Sequence, residues 1–228
     1  MTRAFPAGSA ADARLRAFDP VQIAWLDAAL RDDLDPVLHD PLGALPGPDP
    51  LGQHGLALHP WRLADCAAFR ALLDDAAVWL HLPEAYPAPL TEALAHDLIV
   101  GANTLAHHTV RALWNGAQPV GQVRLERAGT PHEAEISYWL GRAYWGQGLG
   151  SALVDGAAAR AFGNDPALLR LVAKVHPANH ASRRILERAG FVPGTPPDGS
   201  AHADWLWLAL RRQNRPSVAG GISSDASP

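Results

Sequence analysis

The sequence predicts an α/β (α+β) fold: a single mixed central sheet flanked by helices, with an N-terminal helical extension. Three observations predict it. Two alternating segments are joined by Asn115-Gly116, a strong hairpin signal. A later strand runs into a glycine-rich turn that opens a helix, and another strand follows, which is a βαβ pattern. Of 228 residues, 48% are hydrophobic, enough for a sizeable core.

The elements follow in order. Residues 1–54 read as an extension. Asp19-Pro20 is a good helix start, and Ile23, Leu26 and Leu30 then share one face, with Trp25 beside it. The prolines and glycines between Pro36 and Gly52 mark an irregular linker. The main domain spans 55–211. It opens with a short strand at 56–59, and a helix at 63–75 packs through Ala67, Phe69, Leu72 and Leu73. Residues 77–89 read as a loop among prolines. Thr91 caps a second helix through about 105, with Leu94, Leu98 and Ile99 inward. Strands at 108–114, 119–125 and 134–140 come next. The helix after the glycine turn covers 148–162, with Leu149, Leu153, Ala157 and Ala161 along one stripe. After a strand at 171–175, Asn179 caps a helix ending at Ala189. Gly190 suits the left-handed position beyond it, and Phe191 can fold back on Leu186. Strands near 191–192 and 204–210 close the domain, and 212–228 reads as a disordered tail.

Composition narrows the function. A net charge of -4 with no basic run disfavours nucleic acid. Cys66 is the only cysteine, so no internal disulfide and no thiolate zinc cluster can form, and a reducing cytoplasm fits. No His/His/carboxylate cluster at helical spacing suggests a metal, so none is expected. The first residues lack the apolar core of a signal peptide, and no uninterrupted apolar run reaches about 18 residues, so no membrane span is expected.

The glycine turn carries the functional signal. In Trp145-Gly146-Gln147-Gly148-Leu149-Gly150-Ser151, glycines let an anion approach the backbone, and the helix start offers free N–H groups and positive potential. A phosphate-bearing ligand is expected. A dinucleotide fingerprint fits poorly, because its third glycine position is Ser151, and no Gly-Lys-Ser/Thr makes a P-loop.

Three signatures in this order of elements resemble the GNAT superfamily of N-acetyltransferases, and most of all its RimJ/RimL-type branch. They are the turn at 145–150; Asn179-His180-Ala181-Ser182 followed by Glu187-Arg188-Ala189-Gly190-Phe191; and the entry Leu58-His59-Pro60-Trp61-Arg62-Leu63-Ala64-Asp65. Trp145 stands where the superfamily often has Gln or Arg, a mark of this branch. Leu186 stands where many members carry the tyrosine that serves the departing thiolate.

The resemblance implies acetyl-CoA as co-substrate and a primary amine acceptor, at a protein N-terminus or on a small molecule. It implies a cofactor site of Trp139, Leu140, Trp145, Gly146, Gln147, Gly148, Leu149, Gly150, Ser151, Asn179 and Ser182. An amine near neutral pH needs a base before it can attack. Glu135 is the first candidate, because relatives carry a carboxylate there. By alternation it shares a face with Ser137 and Trp139, opposite Ile136, Tyr138 and Leu140. The plain alternative is an exposed strand carboxylate. Ser182 is the candidate partner of the thiolate, although it and Asn179 also suit helix capping. His176 and His180 flank the same helix start and are further candidate bases, imidazole being a common proton acceptor in enzymes, with surface placement as the alternative. Trp79, His81, Glu84 and Tyr86 are expected at the acceptor mouth, and the loop 194–202 as its other wall. Trp61 and Trp139 read as core. The apolar face in 19–30 needs cover, from a second copy in a homodimer or from the acceptor site. The competing function is a non-catalytic CoA-binding sensor or interaction module.

Overall fold

The computed structural model describes residues 40–104, 108–128, 130–197 and 204–214. The expected helix at 19–30 and the tail from 215 onward lie outside the described residues, as does part of the expected 194–202 wall. The strands are β1 (Leu56–His59), β2 (His108–Asn115), β3 (Gln118–Arg127), β4 (Glu133–Leu140), β5 (Arg170–Val175), β6 (Val192–Pro193) and β7 (Leu206–Arg211). They form one seven-stranded mixed sheet in the order β1-β2-β3-β4-β5-β7-β6, and only β4 and β5 run parallel. The helices are α1 (Pro50–Gln53), α2 (Cys66–Leu73), α3 (Ala76–Trp79), α4 (Glu92–Thr104), α5 (Leu149–Asn164) and α6 (His180–Arg188).

Alternation along each strand divides the side chains between two cores. On one face Val110 and Ala112 of β2 meet Phe69 and Leu73 of α2 and Ala95 and Ile99 of α4, around Trp61. On the other, Val123, Leu125, Ile136, Leu171 and Ala173 meet Leu153, Ala157 and Ala161 of α5 and Leu186 of α6. The hairpin turn is Gly116-Ala117, with Gly116 at φ +59° and Asn115 paired to Gln118.

α5 differs from the amphipathic helix that the stripe suggested: it is buried nearly all round, from Gly150 to Phe162. Its outer face is covered by residues 40–53, which were expected as irregular linker. Leu42 and Leu51 are fully buried in the second core. A Cβ on Gly156 would collide with Leu51. Arg160, itself buried, donates to the Leu42 carbonyl at 2.8 Å and pairs with Asp49, while Asn164 Nδ2 donates to the Gly43 carbonyl at 3.0 Å. The physical reason is compositional: a helix apolar on every side needs a second cover. At the other end, Arg212 donates to the Phe162 carbonyl at 2.6 Å and to those of Asp165 and Leu168, so the chain stays bonded one residue past the expected domain end.

Candidate active site

β4 and β5 pair only over Glu133–Glu135 and Arg170–Val172. Beyond that point β4 continues to Leu140 and β5 to Val175 with no pairing between them, and a cleft of about 870 Å³ opens there. Because the strands part, side chains from both faces of β4 reach this one cleft: Glu135, Ser137 and Trp139 from one, Ile136 and Tyr138 from the other.

The glycine turn forms one end. Gly146 (φ +73°) and Gly148 (φ +79°) take the left-handed conformation that glycine adopts freely. Gly148 is the N-cap of the 16-residue α5. Among the described residues, no backbone acceptor receives the N–H groups of 146–150, whereas Ser151 N–H already donates to the Gly148 carbonyl at 3.1 Å. Five free amides at the positive end of a long helix suit a pyrophosphate. Gly150 lets α6 close in, since a Cβ there would lie 2.8 Å from Ile185 Cδ1. The indole of Trp145 donates to the Leu140 carbonyl at 2.8 Å, tying the turn to the end of β4. That bond gives the aromatic at this position a structural use.

Most of the expected cofactor residues line the cleft: Trp139, Leu140, Trp145, Gly146, Gly148, Leu149, Gly150, Ser151, Asn179 and Ser182. Gln147 does not. Its side-chain amide donates to the Ala143 carbonyl at 2.8 Å, within the turn. Asn179 caps α6, accepting from Ser182 N–H at 3.0 Å. The Ser182 hydroxyl lies 3.0 Å from that of Tyr138. Burial pushes the Tyr138 phenol up to about 12, with the Ser182 hydrogen bond pulling the other way.

Where β4 and β5 part, Lys174 Nζ lies 3.2 Å from Glu135 Oε1, an ion pair not aligned as a hydrogen bond. The neighbouring carboxylate across the strands, Glu126, pairs with Arg124 at 3.3 Å, and Arg124 Nε donates to Ser137 Oγ at 3.3 Å. Trp79, His81 and Glu84 line the same cleft. Tyr86 is not in the lining: its hydroxyl donates to Asp74 Oδ1 at 2.5 Å, and its ring packs beside Trp79, whose indole donates to the Leu73 carbonyl. His81 stacks on His176 at 5.2 Å, and His176 meets Trp205 edge-on. Burial lowers the His81 pKa, and the adjoining His176 and His180 add to this, so His81 is neutral at neutral pH. Trp61, Phe69 and Trp139 form one aromatic cluster, so Trp139 is both core and cleft wall.

Sequence reasoning missed Tyr138 and Lys174, and also Arg184 and Arg188, which line the cleft from α6. The basic run Arg183-Arg184 beside the Asn179 cap was the available signal for the arginines. For Tyr138 there was none, because its partner lies 44 positions away.

Free amides beside an unpaired strand edge are what a transferase using a phosphate-bearing thioester requires. Comparison with known proteins agrees. The family model described as an acetyltransferase (GNAT) domain matches residues 56–192, and the chain belongs to this family. It is therefore an acetyl-CoA-dependent N-acetyltransferase. Similar solved structures include a GNAT-family acetyltransferase from Bacillus anthracis (19% identity, TM-score 0.58), covering 69% of this chain and 95% of that one. Mycobacterium smegmatis RimJ in complex with CoA-disulfide (21%, TM-score 0.59) covers 69% of this chain and 82% of its own. RimL, an N-acetyltransferase of ribosomal protein L7/L12 solved with coenzyme A (18%, TM-score 0.58), covers 69% and 94%. At these identities the likeness is one of fold. The search of curated proteins finds no match.

Proposed function

We propose that this enzyme acetylates a primary amine, at a protein N-terminus or on a small molecule, by direct attack with Glu135 as the base. The observation that carries this reading is that Glu135 lines the same cleft as the glycine turn. The family fit rests on the free 146–150 amides and the parted β4–β5 edge. Those amides hold the pyrophosphate, with Arg184 and Arg188 as further cations, and acetyl-CoA supplies the activated acetyl group.

Glu135 takes a proton from the acceptor ammonium, directly or through water, and leaves a neutral nucleophile. Tyr138 and Ser182 serve the sulfur. With its phenol at about 12, Tyr138 stays protonated and donates a hydrogen bond to the developing thiolate. A thiol titrates near about 8.5, so Tyr138 keeps its proton and stabilises charge instead of acting as a strong acid. The role left vacant at Leu186 thus falls to a strand residue. Neutral His81 adds an uncharged wall that does not repel a cationic amine.

The same reading takes the enzyme as cytoplasmic, since its one cysteine suits a reducing compartment. It also takes the 19–30 helix as cover, in a homodimer or over the acceptor mouth. The test is thiol release from acetyl-CoA over a panel of small amines and N-terminal peptides, with wild type and Glu135→Gln. Unchanged turnover in the variant removes Glu135 as base, and no thiol release with any amine removes the acceptor class.

A further inference from the structure

The chain has a single lysine, Lys174, against eighteen arginines. That lysine lines the cleft, with its amine 3.2 Å from the carboxylate proposed as base. Several other ion pairs among the described residues use arginine. On the same two strands, two residues back along β4 and four along β5, Arg170 pairs with Glu133, and Arg127, Arg160 and Arg124 pair with Asp165, Asp49 and Glu126. Arginine is the better partner for a purely structural pair, because its planar fork grips a carboxylate at two points. Lysine differs in one chemical respect that matters here: its amine can lose a proton and attack a carbonyl. It stands where β4 and β5 part, and its side chain is only 19% exposed, turned into the cleft.

We infer that Lys174 is itself an acetyl acceptor, modified by the enzyme in cis when no external amine fills the cleft. Its ammonium already stands beside Glu135 as the substrate amine is proposed to stand, so the inference rests on the reading of the cleft given above. Glu135 takes one proton from Nζ. The neutral Nζ forms a bond to the thioester carbonyl carbon, the carbon–sulfur bond breaks with its electron pair on sulfur, and the remaining excess proton on nitrogen goes to that sulfur. The products are acetyl-Lys174 and the free CoA thiol. The acetyl group removes the lysine charge and releases Glu135 from its partner. The chamber becomes one charge more negative, which favours a cationic acceptor.

The full chain, purified and incubated with acetyl-CoA and no amine, tests this by intact mass and peptide mapping, beside calorimetric binding of acetyl-CoA. The expected result is one acetyl group located on Lys174, at a rate independent of protein concentration. It is absent in Lys174→Arg and in the unfolded chain, and about a hundredfold slower in Glu135→Gln. If Lys174→Arg does not fold, the peptide map of the wild type still locates the group. Binding of acetyl-CoA with Lys174 unmodified overturns the inference and leaves the reading of the cleft intact. Equal labelling of the folded and unfolded chain overturns it as ordinary chemical acetylation. Absence of binding removes both.

Discussion

Tyr138 and Ser182 hold their hydroxyls 3.0 Å apart in the cleft, one from β4 and one from the first turn of α6. This bond ties β4 to α6, and both hydroxyls line the cleft where the thiol is proposed to leave. If the two act as a unit, removing either removes most of the effect. Tyr138→Phe and Ser182→Ala should each lower kcat by about tenfold to a hundredfold with little change in KM for acetyl-CoA. The double variant should be little worse than the poorer single one. Steady-state kinetics of the four proteins checks this, and fully multiplicative effects would show that the two act separately.

Tyr138 also makes a pH prediction. Its folded value of about 12 lies above the ordinary tyrosine value near about 10. The folded protein therefore binds this proton more tightly than the unfolded chain. The stability it contributes is fully present below about pH 10 and is lost as pH rises through about 12. Alkaline ultraviolet titration should show a phenolate appearing near about 12 that Tyr138→Phe deletes. A wild-type titration that Tyr138→Phe leaves unaltered would contradict the burial.

The cover on α5 predicts a stability effect remote from the chemistry. Leu51 is fully buried against Gly156. Leu51→Ala should cost about 2–5 kcal/mol, by lost transfer energy plus a cavity. Gly156→Val should destabilise by overpacking of about 1–3 kcal/mol or more. Chemical denaturation measures both, and values near zero would mean that residues 40–53 do not cover α5 in solution.

The turn predicts unequal roles for neighbours. Gln147→Ala should change acetyl-CoA affinity by less than about threefold, because its amide is bonded to Ala143. Gly148→Val should weaken binding by about tenfold or more, because a β-branched residue at φ +79° disturbs the amides proposed to hold the phosphate. Calorimetry on both variants reads this directly, and the reverse order would place the phosphate elsewhere.

Local signals carried most of the fold. The Asn115-Gly116 hairpin, the Asn179 cap and the Gly190 exit, with the Phe191 N–H bonded to the Leu186 carbonyl at 3.0 Å, are set by neighbours in sequence and were legible there. The short helix at Ala76–Trp79 stands just before the prolines at 83, 87 and 89, and most of it reads as part of their loop. The proline density before Gly52 hid the packing of Leu42 and Leu51, although the all-round apolar face of α5 asked for it. At the site, alternation placed Glu135 and Tyr138 on opposite faces of β4. Only the parting of two strands brings both to one cleft, and that is a property of the sheet, not of β4. The Lys174 partner of Glu135 and the Asp74 partner of Tyr86 depend on tertiary contacts that no local pattern encodes.

The glycine turn and the parted strands are together proposed to hold acetyl-CoA. Calorimetric titration of the purified chain with acetyl-CoA, with NADH as the control ligand, tests it most directly. Saturable one-site binding of acetyl-CoA, with none of NADH, is expected. No heat of binding at high micromolar acetyl-CoA, or equal binding of NADH, would contradict it.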